Sequence, residues 1–275
     1  MDKLDRYAVV GNPIGHSKSP SIHKMFAQQS AQQLEYVTKL VALDEFSVDV
    51  KRFFAEQGSG LNVTVPFKQQ AWDIATGLSD CARLAGAVNT LWLKDGEIQG
   101  DNTDGIGLVR DLISNNSYQL VDKKVLILGA GGAVRGVLQP IIAQRPSSIT
   151  IANRTLSKAL QLRTIFADIY PLECCEYSQL DGPYDLIING TSASLSNQLP
   201  PLADEIVGPD SCLYDMMYGS QTTVFNQWGK KLGAKSCIDG LGMLVEQAAE
   251  SFSLWRGVRP ETAAVIRSLR KELQK

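Results

Sequence analysis

The stretch VLILGAGGAVRG, Val125 to Gly136, constrains this chain more than any other, because it sets an apolar run, a glycine turn and a helix start in one short segment. Val125 to Leu128 read as a parallel strand covered on both faces, and Gly129, Gly131 and Gly132 lead it into a helical pattern. Gly129 permits the tight turn. Gly131 lets the backbone approach a pyrophosphate, which the free amide groups and positive dipole end of the next helix would hold. Val134 stands where the fingerprint has its third glycine, and an ordinary strand-to-helix turn is the plainer account. In this context the segment predicts a dinucleotide site.

The following strand selects the nucleotide. Ser148 to Ala152 is β-branched and apolar and ends at Asn153-Arg154-Thr155, roughly twenty residues past the glycines, where an NAD site places an acid on the ribose hydroxyls. No acid stands there. Arg154, with Lys158 one helical turn on, offers positive charge where the extra phosphate of NADP would lie. If both cations were merely solvated they would sit at the unfavourable end of a helix dipole, and an anionic ligand removes that mismatch.

At 275 residues the chain has room for two modest domains. Its net charge of -2 argues against a polyanion surface, so nucleic acid is not an expected partner. No apolar span reaches membrane length, and MDKLDRYAVV lacks the pattern of a signal peptide, so no membrane partner and a cytoplasmic location are expected. Five cysteines form no CxxC pair and only His16 and His23 are present, so neither disulfides nor a metal site are expected.

The pattern before the glycine loop predicts an α/β unit. Strands are expected at Tyr7–Val10, Tyr36–Ala42 and Leu61–Val65, with helices from Ser19-Pro20 to about Gln33, over Asp44–Gln57 and over about Phe67–Ala75. Ser19 reads as a helix cap followed by proline. Leu78–Gly86 reads as helical, a hairpin turns at Lys94-Asp95-Gly96, and Thr103 or Asp104 caps a helix through about Ser114. Past Asn153 a helix at Thr155–Phe166 precedes strands near Leu172–Glu176, Asp185–Asn189, Ser211–Met216 and Lys235–Ile238, with a helix at Thr222–Leu232. The fold class expected is an N-terminal α/β substrate domain with a mostly parallel sheet and a C-terminal Rossmann-like, doubly wound domain. The boundaries expected are 1–104, completed by two returning helices within 241–275, and 105–240.

A nicotinamide enzyme needs a polar pocket and a proton donor outside its cofactor domain. Strand ends of the first domain offer Ser17, Ser19, Asn62, Thr64, Lys68, Asn89 and Asp104. Neutral hydroxyl and amide groups in that number suit a polyhydroxylated ligand. Lys68 opens a helix, where a cation is disfavoured unless it is exposed or placed for a purpose. Any one of these residues alone reads as a cap or turn residue; His16 reads as a loop-shaping residue, His23 as a helix residue and Cys174-Cys175 as packing.

GNPIGHSKSP, NVTVPFK, AGAVNT, GDNTDG, GAGGAVRG, NRT, NGTS, DMMY and DGLGMLVEQAA stand in this order across nearly the whole chain. With them the sequence resembles the bacterial biosynthetic shikimate dehydrogenases. The resemblance implies reversible NADP-linked reduction of 3-dehydroshikimate to shikimate. It implies that Ser17 and Ser19 hold the substrate carboxylate and that Asn62, Thr64, Asn89, Asp104 and Gln247 hold its hydroxyls. It further implies that Lys68 and Asp104 are the catalytic pair and that Tyr218 reaches the substrate from the second domain. The implied cofactor contacts are Gly129, Ala130, Gly131, Gly132, Ala133, Asn153, Arg154, Thr155, Lys158, Thr191, Met216, Gly240 and Met243; Met216 and Met243 on their own read equally as core. Many NADP-specific members carry arginine where this chain has Lys158, which predicts a softer preference for NADP. Tyr218 is followed by Gly219-Ser220, a local variation. The competing readings are an NAD-linked quinate/shikimate dehydrogenase and a non-catalytic nucleotide sensor of the same fold. Either a monomer or a homodimer fits.

Overall fold

The computed structural model describes residues 4–274, and its contacts divide the chain into two compact units. One comprises the residues up to Gly107 with Val245–Val265; the other comprises Leu108–Leu244 with the residues from Ile266 onward.

The first unit alternates β1 (Asp5–Gly11), α1 (Ser19–Gln29), β2 (Leu34–Leu40), α2 (Phe46–Ala55), β3 (Gly58–Val63) and α3 (Lys68–Ile74). It continues through β4 (Gly77–Leu78), α4 (Asp80–Ala85), β5 (Thr90–Lys94) and β6 (Glu97–Asp101). Its sheet runs β2-β1-β3-β5-β6-β4; β1 pairs β2 and β3 in parallel, and β5 lies antiparallel to β3 and β6. Phe46, Val50, Phe53 and Phe54 recur at helical spacing on α2 and are buried in the core on this sheet. Asp95 and Gly96 both have positive φ, as a two-residue hairpin turn requires.

Two local expectations change here. Residues 77–78 form a short strand parallel to β6 before the helix of the Leu78–Gly86 stretch begins. Helix α1 begins at Ser19 with Lys18 at the cap position and no side-chain cap bond, so Ser19 is not the cap. Its hydroxyl is left for other work.

The second unit holds β7 (Lys124–Leu128), α6 (Gly132–Ile142), β8 (Ser148–Ala152), α7 (Leu156–Ile165), β9 (Glu173–Cys175), β10 (Tyr184–Asn189), β11 (Val207–Asp215), α8 (Val224–Lys231) and β12 (Ser236–Asp239). Every neighbouring pair in the order β12-β11-β10-β7-β8-β9 is parallel. This is the doubly wound arrangement, with its switch point between β7 and β10, where open α/β sheets bind ligands at the strands' carboxyl ends.

Helix α5 (Asp104–Arg110) continues as a π-helical turn at Asp111–Asn115. The Asp111 carboxylate in that turn accepts from the Tyr214 hydroxyl at 2.7 Å. Helices α9 (Leu241–Arg256) and α10 (Ala263–Leu273) close the chain. Both were expected to return to the first domain, yet α10 from Ile266 groups with the second unit. Within that unit Arg270 donates to Asp239 Oδ1 at 2.5 Å and to the Gly219 carbonyl. The end of α9 does belong to the first unit: Arg256 pairs with Asp5 and Gln32, and Trp255 stacks on Tyr7 at 4.7 Å. A Cβ at Gly60 would lie 2.7 Å from the Trp255 ring, so a glycine there lets the indole rest on the sheet.

Candidate functional site

In the first unit the centre is an ion pair. Lys68 is the first residue of α3, and its carbonyl accepts from Val88 N at 2.8 Å, which fixes the helix start against the approach to β5. Asp104 opens α5, and its backbone N–H donates to the Asn102 side chain at 3.2 Å. Lys68 Nζ lies 2.5 Å from Asp104 Oδ2, with the lysine side chain 30% exposed and the aspartate 13%. The unfavourable cation at a helix start thus has an adjacent carboxylate for company.

A buried amide and hydroxyl network orients that carboxylate. Asn89 Nδ2 donates to Asp104 Oδ1 at 2.8 Å and to Thr103 Oγ1 at 3.0 Å, and Asn89 Oδ1 accepts from Thr103 N at 3.0 Å. A backbone N–H can only donate, so the atom facing it must be the amide oxygen, which directs Nδ2 toward Asp104. Gln247 Oε1 is 3.4 Å from both Asn89 Nδ2 and Thr103 Oγ1. Asn62 Nδ2 reaches Thr90 Oγ1 and Ser251 Oγ, while Asn62 Oδ1 accepts from Tyr36 at 2.7 Å. Ser19 is buried.

Sequence reasoning missed Tyr36, Thr90, Asn102, Thr103 and Ser251. Thr90, Asn102 and Thr103 stood inside the motifs AGAVNT and GDNTDG, which was the available signal; Tyr36 and Ser251 sit in ordinary strand and helix patterns and had none. Ser17 accepts from Ser19 N at 3.3 Å in the loop after β1, and Thr64 follows the adjacent β3, its N–H bonded to the Val10 carbonyl at 3.0 Å. His16 is exposed. His23 is fully buried, stacked 4.1 Å from Tyr36, and burial pushes its imidazole down to about 3, so it is a neutral ring. Burial raises both the Cys174 and Cys175 thiols, which favours the unreactive form. Among the described residues no group of three or more His, Cys, Asp or Glu could hold a metal.

In the second unit the corresponding region is made of backbone. Gly129 has φ +104°, a left-handed conformation that favours glycine at this turn. Gly131 and Gly132 are exposed, and a Cβ added to either would meet nothing within 4 Å. With Ala130 and Ala133 alongside, no side chain in the loop exceeds a methyl, and the α6 N-terminus carries no side-chain cap. This is a cradle that fits a pyrophosphate.

The missing third glycine is accounted for across the switch point. Val134 is fully buried, and a Cβ at Gly190 would come within 2.4 Å of its Cγ2. Close packing of helix on sheet is therefore kept by a glycine on the strand side.

At the end of β8, Asn153 Nδ2 bonds the Thr155 carbonyl at 2.8 Å and shapes the turn into α7. Arg154, Thr155 and Lys158 are exposed there, and the first turn of α7 contains no acid. Thr191 donates to Asn189 Oδ1 at 2.7 Å, and Asn189 Nδ2 donates to Asp215, whose carboxyl burial pushes up. Met216 and Met243 are each 8% exposed, and a Cβ at Gly240 would lie 2.2 Å from the Met216 carbonyl oxygen. Tyr218 is half-buried; burial raises its hydroxyl pKa, and the charge of Asp239 adds to the shift.

A doubly wound sheet with a glycine cradle at its switch point, joined to an α/β unit that carries a shielded lysine–aspartate pair, defines a two-domain dinucleotide-dependent oxidoreductase. Comparison with known proteins narrows this class. Family models match residues 9–91 (Shikimate dehydrogenase substrate binding domain), 111–197 (Shikimate / quinate 5-dehydrogenase) and 240–270 (Shikimate 5'-dehydrogenase C-terminal domain). The shikimate dehydrogenase (NADP(+)) of Cellvibrio japonicus is 55% identical over 271 residues, covering 98% of both chains. That of Hahella chejuensis is 54% identical over 268 residues, covering 98% of this chain and 99% of the relative. The crystal structure of an Ael1 enzyme from Pseudomonas putida matches with TM-score 0.92 at 47% identity, over 96% of this chain and 98% of that one. The chain belongs to the shikimate dehydrogenase family.

Proposed function

We propose that this protein catalyses the reversible NADPH-dependent reduction of 3-dehydroshikimate to shikimate. The observation that carries the reading is the 2.5 Å Lys68–Asp104 pair, with Asn89 on the other carboxylate oxygen and Gln247 beside Asn89. When bound, NADPH supplies the hydride and NADP accepts it. Ketone reduction leaves an alkoxide that needs a proton, and Lys68 is the donor; in the oxidation direction it takes the proton back. Asp104 stabilises the ammonium and fixes its direction. Asn62, Thr64, Asn89 and Gln247 hold hydroxyls, Ser17 and Ser19 hold the carboxylate, and Tyr218 completes the substrate contacts.

The cofactor loop is Gly129 to Ala133. Arg154 and Lys158 hold the additional phosphate of NADP, with Asn153, Thr155, Thr191, Met216, Gly240 and Met243 completing that surface. The NADP(+) designation of the relatives and the absence of an acid at the end of β8 both support NADP over the NAD-linked alternative. The presence of both members of the Lys68–Asp104 pair supports an enzyme over a sensor. Cytoplasmic location accords with a chain in which, among the described residues, no helix is long and apolar enough to cross a membrane.

The test is an absorbance assay on purified protein with shikimate or quinate against NADP or NAD. Shikimate with NADP is expected to give the highest kcat/KM; a higher value for either NAD pairing overturns the cofactor assignment, and preference for quinate overturns the substrate.

A further inference from the structure

We infer that Thr90 is a positioning residue that sets both Asn62 and Asn89 through a single buried hydroxyl; this rests on the reading of those amides as substrate-holding groups. Thr90 is fully buried at the first position of β5, beside Asn89 in sequence and opposite Asn62 in the antiparallel ladder with β3. Its Oγ1 lies 2.9 Å from Asn89 Oδ1, 3.3 Å from Asn62 Nδ2 and 2.7 Å from Ser251 Oγ.

Hydrogen-bond directions follow from what each partner can do. Asn89 Oδ1 only accepts, so the threonine hydroxyl gives its one proton to Asn89, while Asn62 Nδ2 only donates and shares its two protons among Ser251 Oγ at 3.0 Å, the Asn89 carbonyl at 3.2 Å and Thr90 Oγ1 at 3.3 Å. The threonine oxygen takes the Ser251 hydroxyl, whose contact to Thr90 is shorter than its 3.1 Å contact to the Gln247 carbonyl. The result is a chain of like-directed bonds: Ser251 to Thr90, Thr90 to Asn89 Oδ1, then Asn89 Nδ2 to Asp104 Oδ1, with Lys68 on the other carboxylate oxygen. Bonds in such a chain polarise one another, and in a buried setting a missing member is felt by its neighbours.

Two substitutions separate this role from packing. Thr90→Val keeps the branched shape and deletes the hydroxyl; Thr90→Ser keeps the hydroxyl and deletes a buried methyl. Positioning predicts that kcat/KM for shikimate falls about tenfold in Thr90→Val and stays within about twofold in Thr90→Ser. KM for NADP should be unchanged in both. Packing predicts the opposite order, because serine leaves a void and valine does not. The inference is overturned if Thr90→Ser loses as much kcat/KM as Thr90→Val, or if Thr90→Val matches the wild type. Wild-type turnover of shikimate, measured alongside, tells a failure here from a failure of the parent reading: an inactive wild type overturns both, an active one with an unaffected Thr90→Val overturns only this.

Discussion

Under the proposed function the two units hold a small molecule in opposite ways. Around Lys68 and Asp104 the first unit is dense with side chains, and Asn62, Asn89, Thr90, Thr103 and Ser251 are buried and bonded to one another. At Gly129 to Ala133 the second unit withdraws its side chains and exposes backbone, while Arg154 and Lys158 stand in solvent. A ketone of defined stereochemistry needs donors at fixed points, and buried networks supply them before the ligand arrives. A pyrophosphate carries charge on several oxygens and is held by a field and by open amide groups, for which bulk is the chief obstacle. Changes in the first unit should therefore act on turnover, and changes in the second on cofactor affinity.

The sharpest test of that division is Lys68→Ala. It is expected to lower kcat by roughly a hundredfold or more, the usual scale for a lost general acid, while NADPH binding measured by fluorescence titration stays intact. If kcat survives and only substrate affinity drops, Lys68 positions the substrate and the proton has another source. Should NADPH binding fail as well, the two regions are not independent and the comparison breaks.

On the cofactor side, Arg154→Ala should weaken NADP selectively. A charge-assisted contact is worth about 1.5 to 3 kcal/mol, or roughly ten- to a hundredfold in affinity. NAD use should barely change. Equal loss for both cofactors would make Arg154 a stacking or structural residue and remove the case for a phosphate site at the end of β8.

How much of this could be read beforehand differs between the regions for a physical reason. The glycine turn was legible because glycine spacing, a strand and a helix start are local in sequence, and the turn they form depends on little else. Lys68 and Asp104 were legible as an anomaly and a cap, and the motif resemblance paired them. Their company was not: Ser251 meets Thr90 and Asn62 only after α9 packs back onto the first sheet, and nothing local marks a serine for such a contact. The grouping of α10 with the second unit likewise involves contacts distant in sequence, such as that of Arg270 with Asp239. Val134 looked like a flaw in the fingerprint because its compensation, Gly190, lies on a different strand.

That compensation sharpens the comparison at the level of packing. Gly190→Ala places a methyl against the Val134 side chain, which is β-branched and fully buried and has little freedom to move. Overpacking of this kind costs about 1 to 3 kcal/mol, and the displaced helix should carry the pyrophosphate loop with it, so thermal stability and NADP affinity fall together. Adding Val134→Ala should restore much of both. A Gly190→Ala protein that is unaltered in melting temperature would mean that helix and strand are not in tight contact at this point.

The smallest effect at neutral pH belongs to His23, which tests whether the first unit's network is backed by an apolar floor. The ring lies against Tyr36 and near Phe26, Phe252 and Trp255, and burial holds its imidazole at about 3 in the folded state against the ordinary histidine value of 6.5. The depressed value means that between about pH 6.5 and 3 the unfolded chain binds a proton that the folded chain does not. Folding stability must then fall as pH drops through that window, by at most about 1.4 kcal/mol per pH unit for one such group. The raised carboxyls of Asp101 and Asp215 work in the opposite direction, because they keep their protons longer in the folded state. His23→Phe retains an aromatic ring in the stack and removes only the titration. Denaturant unfolding of the wild type and this variant should therefore give curves of stability against pH that run parallel above about pH 7 and diverge below 6.5, with the wild type losing more. Curves that stay parallel down to about pH 4 would show that His23 takes up its proton without unfolding, and the floor beneath Tyr36 and Asn62 would have to be open to water.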